Sequence, residues 1–234
     1  MSNKYLDLLS YFGIGSAHPG GFGLTQFLLR KEKIQASESV LDIGCGTGKT
    51  SAFLSTKYGC SVTAVDNHPL MIKKARERLD LLEGTIHLIE GDIEHLNLEE
   101  NSYDVIISES VLVFTNIGNT LSEIARMLKK DGRLLLIEMT GTSNLSEQVK
   151  EKVKELYGVQ QLFSEEEWKD CLQKAGFQHI EMLEPPVNME QIDIDDINPS
   201  SEIDMSLYDL WDEHNQFLNE YSDLVGYRIF RCRL

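Results

Sequence analysis

The chain has 234 residues, the size of one ordinary α/β domain with a substantial core. Hydrophobic residues make up 41% and charged residues 26% of it, which excludes a disordered chain and a disulfide-stapled miniprotein. With 22 Lys and Arg against 38 Asp and Glu, the formal net charge is −16, so nucleic-acid backbones and anionic lipid surfaces should repel it.

The first 140 residues show alternating secondary-structure patterns. Two short helical patterns come first, and then short apolar runs alternate with longer amphipathic stretches, as in βαβ units of a parallel sheet. We predict strands at 39–43, 61–66, 85–90, 104–108 and 133–139, with helices at 47–58, 69–82 and 117–130. Gly59 and Gly132 are predicted to end two of these helices.

The remainder of the chain follows a different pattern. We predict helices at 146–157 and 164–175, then strands at 178–183 and 226–232 that pair as an antiparallel hairpin. Between these strands, residues 185–224 contain eleven Asp and Glu and no Lys or Arg. Apolar residues at helical spacing near its end predict one amphipathic helix. We interpret this acidic segment as an insertion and a candidate lid.

The cysteine spacing and the distribution of apolar residues predict whether the protein binds metal and where in the cell it is found. The four cysteines lack the spacing of a zinc site or a disulfide framework, so we predict reduced thiols and no metal. No stretch approaches about 18 consecutive apolar residues, and residues 1–16 lack the apolar core of an export signal. We therefore expect a cytoplasmic monomer or homodimer with neither a membrane nor a nucleic acid as partner.

The segment VLDIGCGTGKT at residues 40–50 combines a buried strand, a glycine loop and the start of a helix. Glycines let a ligand approach the backbone, and the helix start offers unpaired amides, so we predict a nucleotide-like ligand. A phosphate-binding P-loop would need glycine in place of Ile43, and a dinucleotide fingerprint would need glycine in place of Lys49. An NTPase, an NAD-dependent oxidoreductase and a loop that merely packs are the alternatives.

Further motifs accompany this loop in a fixed order. They are an acid before GxGxG (Asp42, Gly44, Gly46, Gly48), an acid closing the second strand (Asp66), Gly91-Asp92-Ile93, and LKKDGRLLL at 128–136. With these motifs the sequence resembles the class I S-adenosylmethionine-dependent methyltransferases, specifically the small-molecule group called methyltransferase type 11. The resemblance covers about residues 40–138.

The resemblance implies a fold and a domain organisation. The expected fold is a Rossmann-like, doubly wound α/β/α sandwich with a seven-stranded, mainly parallel sheet, an antiparallel last strand and a helical cap. Residues 1–234 would form one domain, with 1–36 as a helical cover, 37–140 as the cofactor-binding core and 185–224 as the acidic insertion.

The resemblance also implies S-adenosyl-L-methionine as cofactor and S-adenosyl-L-homocysteine as product. Asp66, at the end of its strand, would accept hydrogen bonds from both ribose hydroxyls. Asp92 would accept one from the adenine amino group, unless it only caps a turn, and Asp42 would help to hold the amino group of the methionine moiety. The cofactor-binding residues expected on this basis are Asp42, Gly44, Cys45, Gly46, Gly48, Asp66, Asn67, Met71, Asp92, Ile93, Ser108 and Glu109.

Methyl transfer from a sulfonium is an in-line displacement with a neutral leaving group. It therefore depends more on positioning the nucleophile and excluding water than on acid catalysis. The candidate catalytic residues are His18 and Tyr11, before the first strand, and Glu109; the other five histidines, including His214, are interpreted as surface residues. Residues 108–111 lack the Asn/Asp-Pro-Pro-aromatic motif of nucleobase methylation, which favours a small-molecule acceptor. A protein that binds the cofactor without catalysis is a further alternative.

Overall fold

The computed structural model describes residues 3–185 and 196–234 of the chain. Residues 186–195, which belong to the predicted acidic insertion, lie outside the described residues. The elements in chain order are α1 Lys4–Phe12, α2 Gly21–Glu32, β1 Ser39–Ile43, α3 Lys49–Tyr58, β2 Ser61–Asp66, α4 Pro69–Leu79, β3 Ile86–Glu90, β4 Tyr103–Glu109, α5 Ile117–Met127, β5 Leu128–Gly141, α6 Glu147–Tyr157, α7 Glu165–Lys174, β6 His179–Leu183, α8 Met205–Tyr221 and β7 Val225–Arg233.

The strands form one seven-stranded sheet in the order β3-β2-β1-β4-β5-β7-β6. Neighbours among β1 to β5 pair in parallel, whereas β7 runs antiparallel to both β5 and β6. The predicted mainly parallel sheet with an antiparallel last strand is therefore confirmed. The connections change direction between β1 and β4, and the carboxyl ends of strands beside such a switch point form a crevice where ligands bind.

Both faces of the sheet are covered by helices, as the apolar runs of the strands require. Leu41 and Ile106 belong to a core cluster on one face, and their chain neighbours Val40 and Val105 belong to a cluster on the other. All four are fully buried, because side chains alternate between the two faces of a strand. The result is the expected three-layer sandwich. No helix in the described ranges is long and apolar enough to span a membrane.

The boundary between α5 and β5 differs from the predicted one. The helix predicted to reach residue 130 ends at Met127, and Leu128 already pairs with Tyr103 of β4. Gly132 lies inside β5, so its predicted role as a helix stop is wrong. The amphipathic pattern does run on to residue 130, but strand pairing with β4 takes over there. Gly59, by contrast, caps α3 with a φ of 70°, as predicted.

Helix α1 packs against the helices that follow β5 and β6. The rings of Tyr5 and Tyr157 meet edge to face with centroids 4.8 Å apart. Phe12 stacks on Trp211 of α8 with centroids 5.8 Å apart. The amphipathic helix predicted at the end of the acidic segment is therefore present, and it packs on the N-terminal cover.

A short strap, defined here as residues 196–200 of the acidic segment, pairs with the loop after α1. Ile197 forms an antiparallel bridge with Ile14. The amide of Asn198 donates to the carbonyl oxygen of Gly13 at 3.1 Å. The N-terminal residues and the described part of the acidic segment thus form one continuous cover.

Candidate functional site

A cavity of about 890 Å³ opens at the carboxyl ends of β1 to β4. The glycine loop, the ends of β2 and β3 and the turn after β4 form its floor, and α1, the loop at 14–19 and α8 form its cover. This volume is at the upper end of the range typical of small-molecule sites. The location is the crevice beside the switch between β1 and β4.

The fold brings most of the predicted site residues together on the wall of this cavity. Those on the wall are Tyr11, His18, Asp42, Gly44, Cys45, Gly46, Asp66, Asn67, Met71, Asp92, Ile93 and Glu109. Gly48 and Ser108 are not among the wall residues. Gly48 precedes α3 and faces Leu79 of α4, and the fully buried Ser108 donates to Glu138 at 3.3 Å.

Asp66 ties the end of β2 to the glycine loop. One carboxylate oxygen accepts from the amide of Gly46 at 2.8 Å, and the other accepts from the amide of His68 at 2.8 Å. Burial raises the pKa of Asp66, and these two amide donors offset part of the rise. Each oxygen keeps a second lone pair, so the carboxylate can still accept from a ligand.

Asp42 is buried just below the glycine loop, with 2% of its surface exposed. It accepts a short hydrogen bond from the hydroxyl of Ser51 in α3. Burial raises its pKa to about 7, and the neighbouring Glu109 carboxylate adds to the rise. Asp42 therefore holds the loop and α3 together from beneath.

Asp92 occupies the turn after β3. Its Oδ1 accepts from the amide of Glu94 at 3.0 Å, and its Oδ2 lies 3.1 Å from His95 Nδ1. The turn-capping role considered from the sequence is therefore present. The same side chain also borders the cavity beside the buried Ile93.

The glycine loop needs its first glycine for two separate reasons. Gly44 has a φ of +66°, and a Cβ there would lie 2.3 Å from a methyl carbon of Val111. Gly46 has a φ of +53°, but a Cβ there would meet no atom within 4 Å. Gly44 thus permits close packing against the turn after β4, whereas Gly46 exposes its backbone to the cavity.

Gly44→Ala should therefore destabilise the protein by about 2 to 4 kcal/mol, because backbone strain and the clash with Val111 add. Gly46→Ala is the matched control, with the backbone strain alone and a loss of about 1 to 2 kcal/mol. Urea unfolding without ligand measures both. Equal losses would contradict the packing role of Gly44.

Glu109 connects α3, the helix that follows the glycine loop, to α2 of the N-terminal cover. Its two oxygens accept from Thr25 of α2 at 2.6 Å and from Thr50 of α3 at 2.8 Å. His18 Nε2 lies 3.0 Å from the Thr25 hydroxyl, and its Nδ1 lies 3.1 Å from the carbonyl oxygen of Pro19. Both ring nitrogens of His18 thus have partners within the protein, an arrangement that suits positioning better than proton transfer to a ligand.

A tyrosine and histidine pair on the opposite wall has no counterpart among the predicted site residues. The Tyr157 hydroxyl lies 3.0 Å from His214 Nδ1, and both side chains line the cavity. Burial raises the pKa of Tyr157 and lowers the pKa of His214, so both are neutral near pH 7 and share one hydrogen bond.

The interpretation of His214 as a surface residue is therefore wrong. The signal that could have found it is its position on α8, three residues from both Trp211 and Phe217 on the apolar face.

Glu138 of β5 is a second residue missed from the sequence. It is fully buried, and its Oε1 accepts from the amides of Val111 and Leu112 at 3.2 and 3.0 Å. Its Oε2 has no hydrogen-bond partner among the described residues. Burial raises the pKa of Glu138 to about 7, against the effect of these donors. Glu138 thus fixes the turn after β4 that forms part of the cavity floor.

The sequence is similar to those of methyltransferases. A family model described as a methyltransferase domain matches residues 40–132. The uncharacterized methyltransferase YodH of Bacillus subtilis is 35% identical over 229 residues, which cover 97% of this chain and 98% of that one.

Solved structures share the fold at lower identity. One is Haemonchus contortus phosphoethanolamine N-methyltransferase 2 in complex with phosphomonomethylethanolamine and S-adenosylhomocysteine. It aligns with a TM-score of 0.78 at 21% identity, and the alignment covers 97% of this chain. The match spans only 56% of that protein's chain. Streptomyces coelicolor geranyl diphosphate C-methyltransferase, with Mg²⁺, geranyl diphosphate and S-adenosyl-L-homocysteine, has a TM-score of 0.69 at 15% identity, covering 91% of this chain and 77% of that one.

Proposed function

This chain belongs to the class I S-adenosylmethionine-dependent methyltransferases, and on that premise we propose that it methylates a small-molecule acceptor by in-line displacement. The observation that carries the proposal is the shared cavity. The glycine loop, Asp66 and Asp92 border the same space of about 890 Å³, which has room for the cofactor and a small acceptor together.

The residues on the wall fit the chemistry of the cofactor. Asp66 has free lone pairs for the two ribose hydroxyls, and Asp92 with Ile93 borders the place proposed for the adenine. Glu109 borders the inner end of the loop, where the ammonium group of the methionine moiety would lie, and an ammonium group placed there would favour the ionised form of Asp42. The open space above Gly46 lets the cofactor approach the backbone.

Positioning and exclusion of water are the proposed catalytic contributions of this chain. When bound, the cofactor supplies a sulfonium methyl group that a nucleophile attacks in line while a neutral thioether leaves. Glu109 and His18 are engaged by the protein, so we assign them to holding the glycine-loop helix against the cover. Tyr11 is 38% exposed on the cavity wall and stays a candidate for contact with the acceptor.

The first experiment is titration calorimetry with S-adenosyl-L-homocysteine, S-adenosyl-L-methionine and NADH. We expect saturable binding of the first two compounds and none of NADH. Absence of binding to either adenosyl compound at millimolar concentration would overturn the proposed function. Saturable NADH binding would favour the oxidoreductase alternative.

We further propose that the strap and α8 form a lid that opens for cofactor exchange. Asp196 of the strap pairs with Arg78 at 2.7 Å and with Lys49 at 3.3 Å. Arg78 also donates to the carbonyl oxygen of Thr47 in the glycine loop at 2.9 Å. The closed strap is therefore attached to the loop that would hold the cofactor. Reduced proteolysis within residues 196–224 on adding S-adenosyl-L-methionine would support the lid.

Asp196→Asn should accelerate the dissociation of S-adenosyl-L-homocysteine about fivefold, since a partly exposed pair of this kind contributes about 1 kcal/mol. Stopped-flow displacement measures the rate. Asp209→Asn removes the same charge from an exposed position on α8 and serves as the control. Equal dissociation rates for the two variants would contradict the proposal that Asp196 holds the strap on the glycine loop.

A further inference from the structure

The part of the cavity away from the glycine loop has its own chemical character. We define the acceptor chamber as the wall formed by Tyr5, Leu9, Val113, Phe114, Tyr157 and His214. These residues come from α1, the turn after β4, the end of α6 and α8, whereas the proposed cofactor residues mostly follow β1, β2 and β3. An acceptor has to lie in this chamber, because the cofactor would fill the other side.

Uncharged groups make up the acceptor chamber. Three of its six side chains are purely hydrocarbon, and the tyrosines and histidine present aromatic faces. Tyr5 packs edge to face on Tyr157, and the Tyr157 hydroxyl is hydrogen-bonded to His214. Because Tyr157 and His214 are neutral near pH 7, the chamber offers aromatic surface and hydrogen-bonding groups without formal charge.

The charges on the rest of the wall are negative. They are the carboxylates of Asp7, Asp66, Asp92 and Glu109, whereas Asp42, whose pKa is raised to about 7 by burial, is only partly ionised near pH 7. The described wall residues include no Lys or Arg, and the sequence of the whole acidic segment, residues 185–224, contains none. An anionic acceptor would therefore lose its hydration beside carboxylates, with no Lys or Arg among the described wall residues to pair with it.

A metal ion could in principle bridge an anionic group to carboxylates, as a hard cation does. Within residues 3–185 and 196–234, no group of three or more His, Cys, Asp or Glu is arranged to hold one. The described residues thus offer no three-ligand cage for a metal ion, and an ion held by one or two carboxylates and a phosphate is addressed by including Mg²⁺ in the test.

We propose that the acceptor is an uncharged, largely apolar molecule that carries neither phosphate nor carboxylate and that packs on the aromatic rings of the acceptor chamber. Its nucleophile hydrogen-bonds to the Tyr157 hydroxyl beside His214. This inference rests on the proposed methyl transfer and adds the substrate class. It separates this chain from the two similar structures described above, whose complexes contain phosphorylated compounds.

The test uses the full chain, tritiated S-adenosyl-L-methionine and a small-molecule filtrate of bacterial cells. Unreacted S-adenosyl-L-methionine, which is a cation, is first removed on a cation exchanger, and the products are then passed over an anion exchanger at pH 7.5. Half of the filtrate is treated with alkaline phosphatase before the reaction. We expect the labelled product in the unretained fraction, in equal amount with and without phosphatase. Asp66→Ala is the control, because its label should fall with loss of cofactor binding.

Label retained on the anion exchanger, or label abolished by phosphatase, would overturn this inference and leave methyl transfer intact. A second arm offers phosphoethanolamine and geranyl diphosphate with Mg²⁺ as acceptors. We expect no labelled product from either, and methylation of either would overturn the inference. A protein that binds the cofactor and labels nothing would overturn the proposed function itself, and this inference with it.

Discussion

Asp66→Ala should weaken binding of S-adenosyl-L-homocysteine by about 1.5 to 3 kcal/mol, or roughly tenfold to 150-fold. The carboxylate would lose its charge-assisted hydrogen bonds to the ribose, and the amides of Gly46 and His68 would lose their acceptor. The glycine loop would therefore be held less firmly as well. Titration calorimetry at constant salt measures the change.

Glu90→Ala is the matched control for this variant. Glu90 also ends a parallel strand, but it is exposed and does not line the cavity. We expect its affinity to equal that of the unaltered protein. Wild-type affinity in Asp66→Ala would refute the assignment of the ribose to this carboxylate.

Glu138→Gln should change how stability depends on pH. Burial raises the pKa of Glu138 from its ordinary 4.5 to about 7, so its ionisation opposes folding. Well below pH 4.5 the carboxyl group is protonated in both the folded and the unfolded protein and does not affect stability. Between pH 4.5 and 7 it ionises in the unfolded protein only, so the unaltered protein loses stability as the pH rises. Glutamine keeps an oxygen acceptor for the amides of Val111 and Leu112 and does not ionise.

The stability of Glu138→Gln relative to the unaltered protein should thus increase by about 3 kcal/mol between pH 4.5 and pH 8. Urea unfolding followed by circular dichroism at several pH values gives this difference, which is independent of any constant cost of the amide. Glu90→Gln, at an exposed position, should give a curve parallel to the unaltered one. Parallel curves for Glu138→Gln would show that this carboxyl group is not a source of the pH dependence.

The sheet and the floor of the site could be predicted because their signals are local. A buried strand followed by glycines defines the loop, and Asp66 and Asp92 follow their strands directly in sequence. Parallel strands place all their carboxyl ends at one edge, so these residues had to converge. The error at Gly132 has the opposite cause, since the pairing of Leu128 with Tyr103 is a tertiary contact that the helical pattern does not encode.

The cover of the site depends on contacts between distant parts of the chain. Lys49 stood out only as a departure from the dinucleotide fingerprint, yet it is buried and pairs with Asp196. His214 meets Tyr157 across 57 residues. Such pairs follow from how α1, α6 and α8 pack, and side-chain periodicity within one helix cannot identify the partner on another.

The position of β7 has a consequence for biosynthesis. β7 follows β6 in the chain but is inserted between β5 and β6, so the side of β5 that pairs with it stays open until residues 225–233 have left the ribosome. That open edge includes the apolar run from Leu134 to Ile137, the kind of strand that recruits other chains. A nascent chain halted before Val225 would thus have an incomplete sheet prone to aggregation.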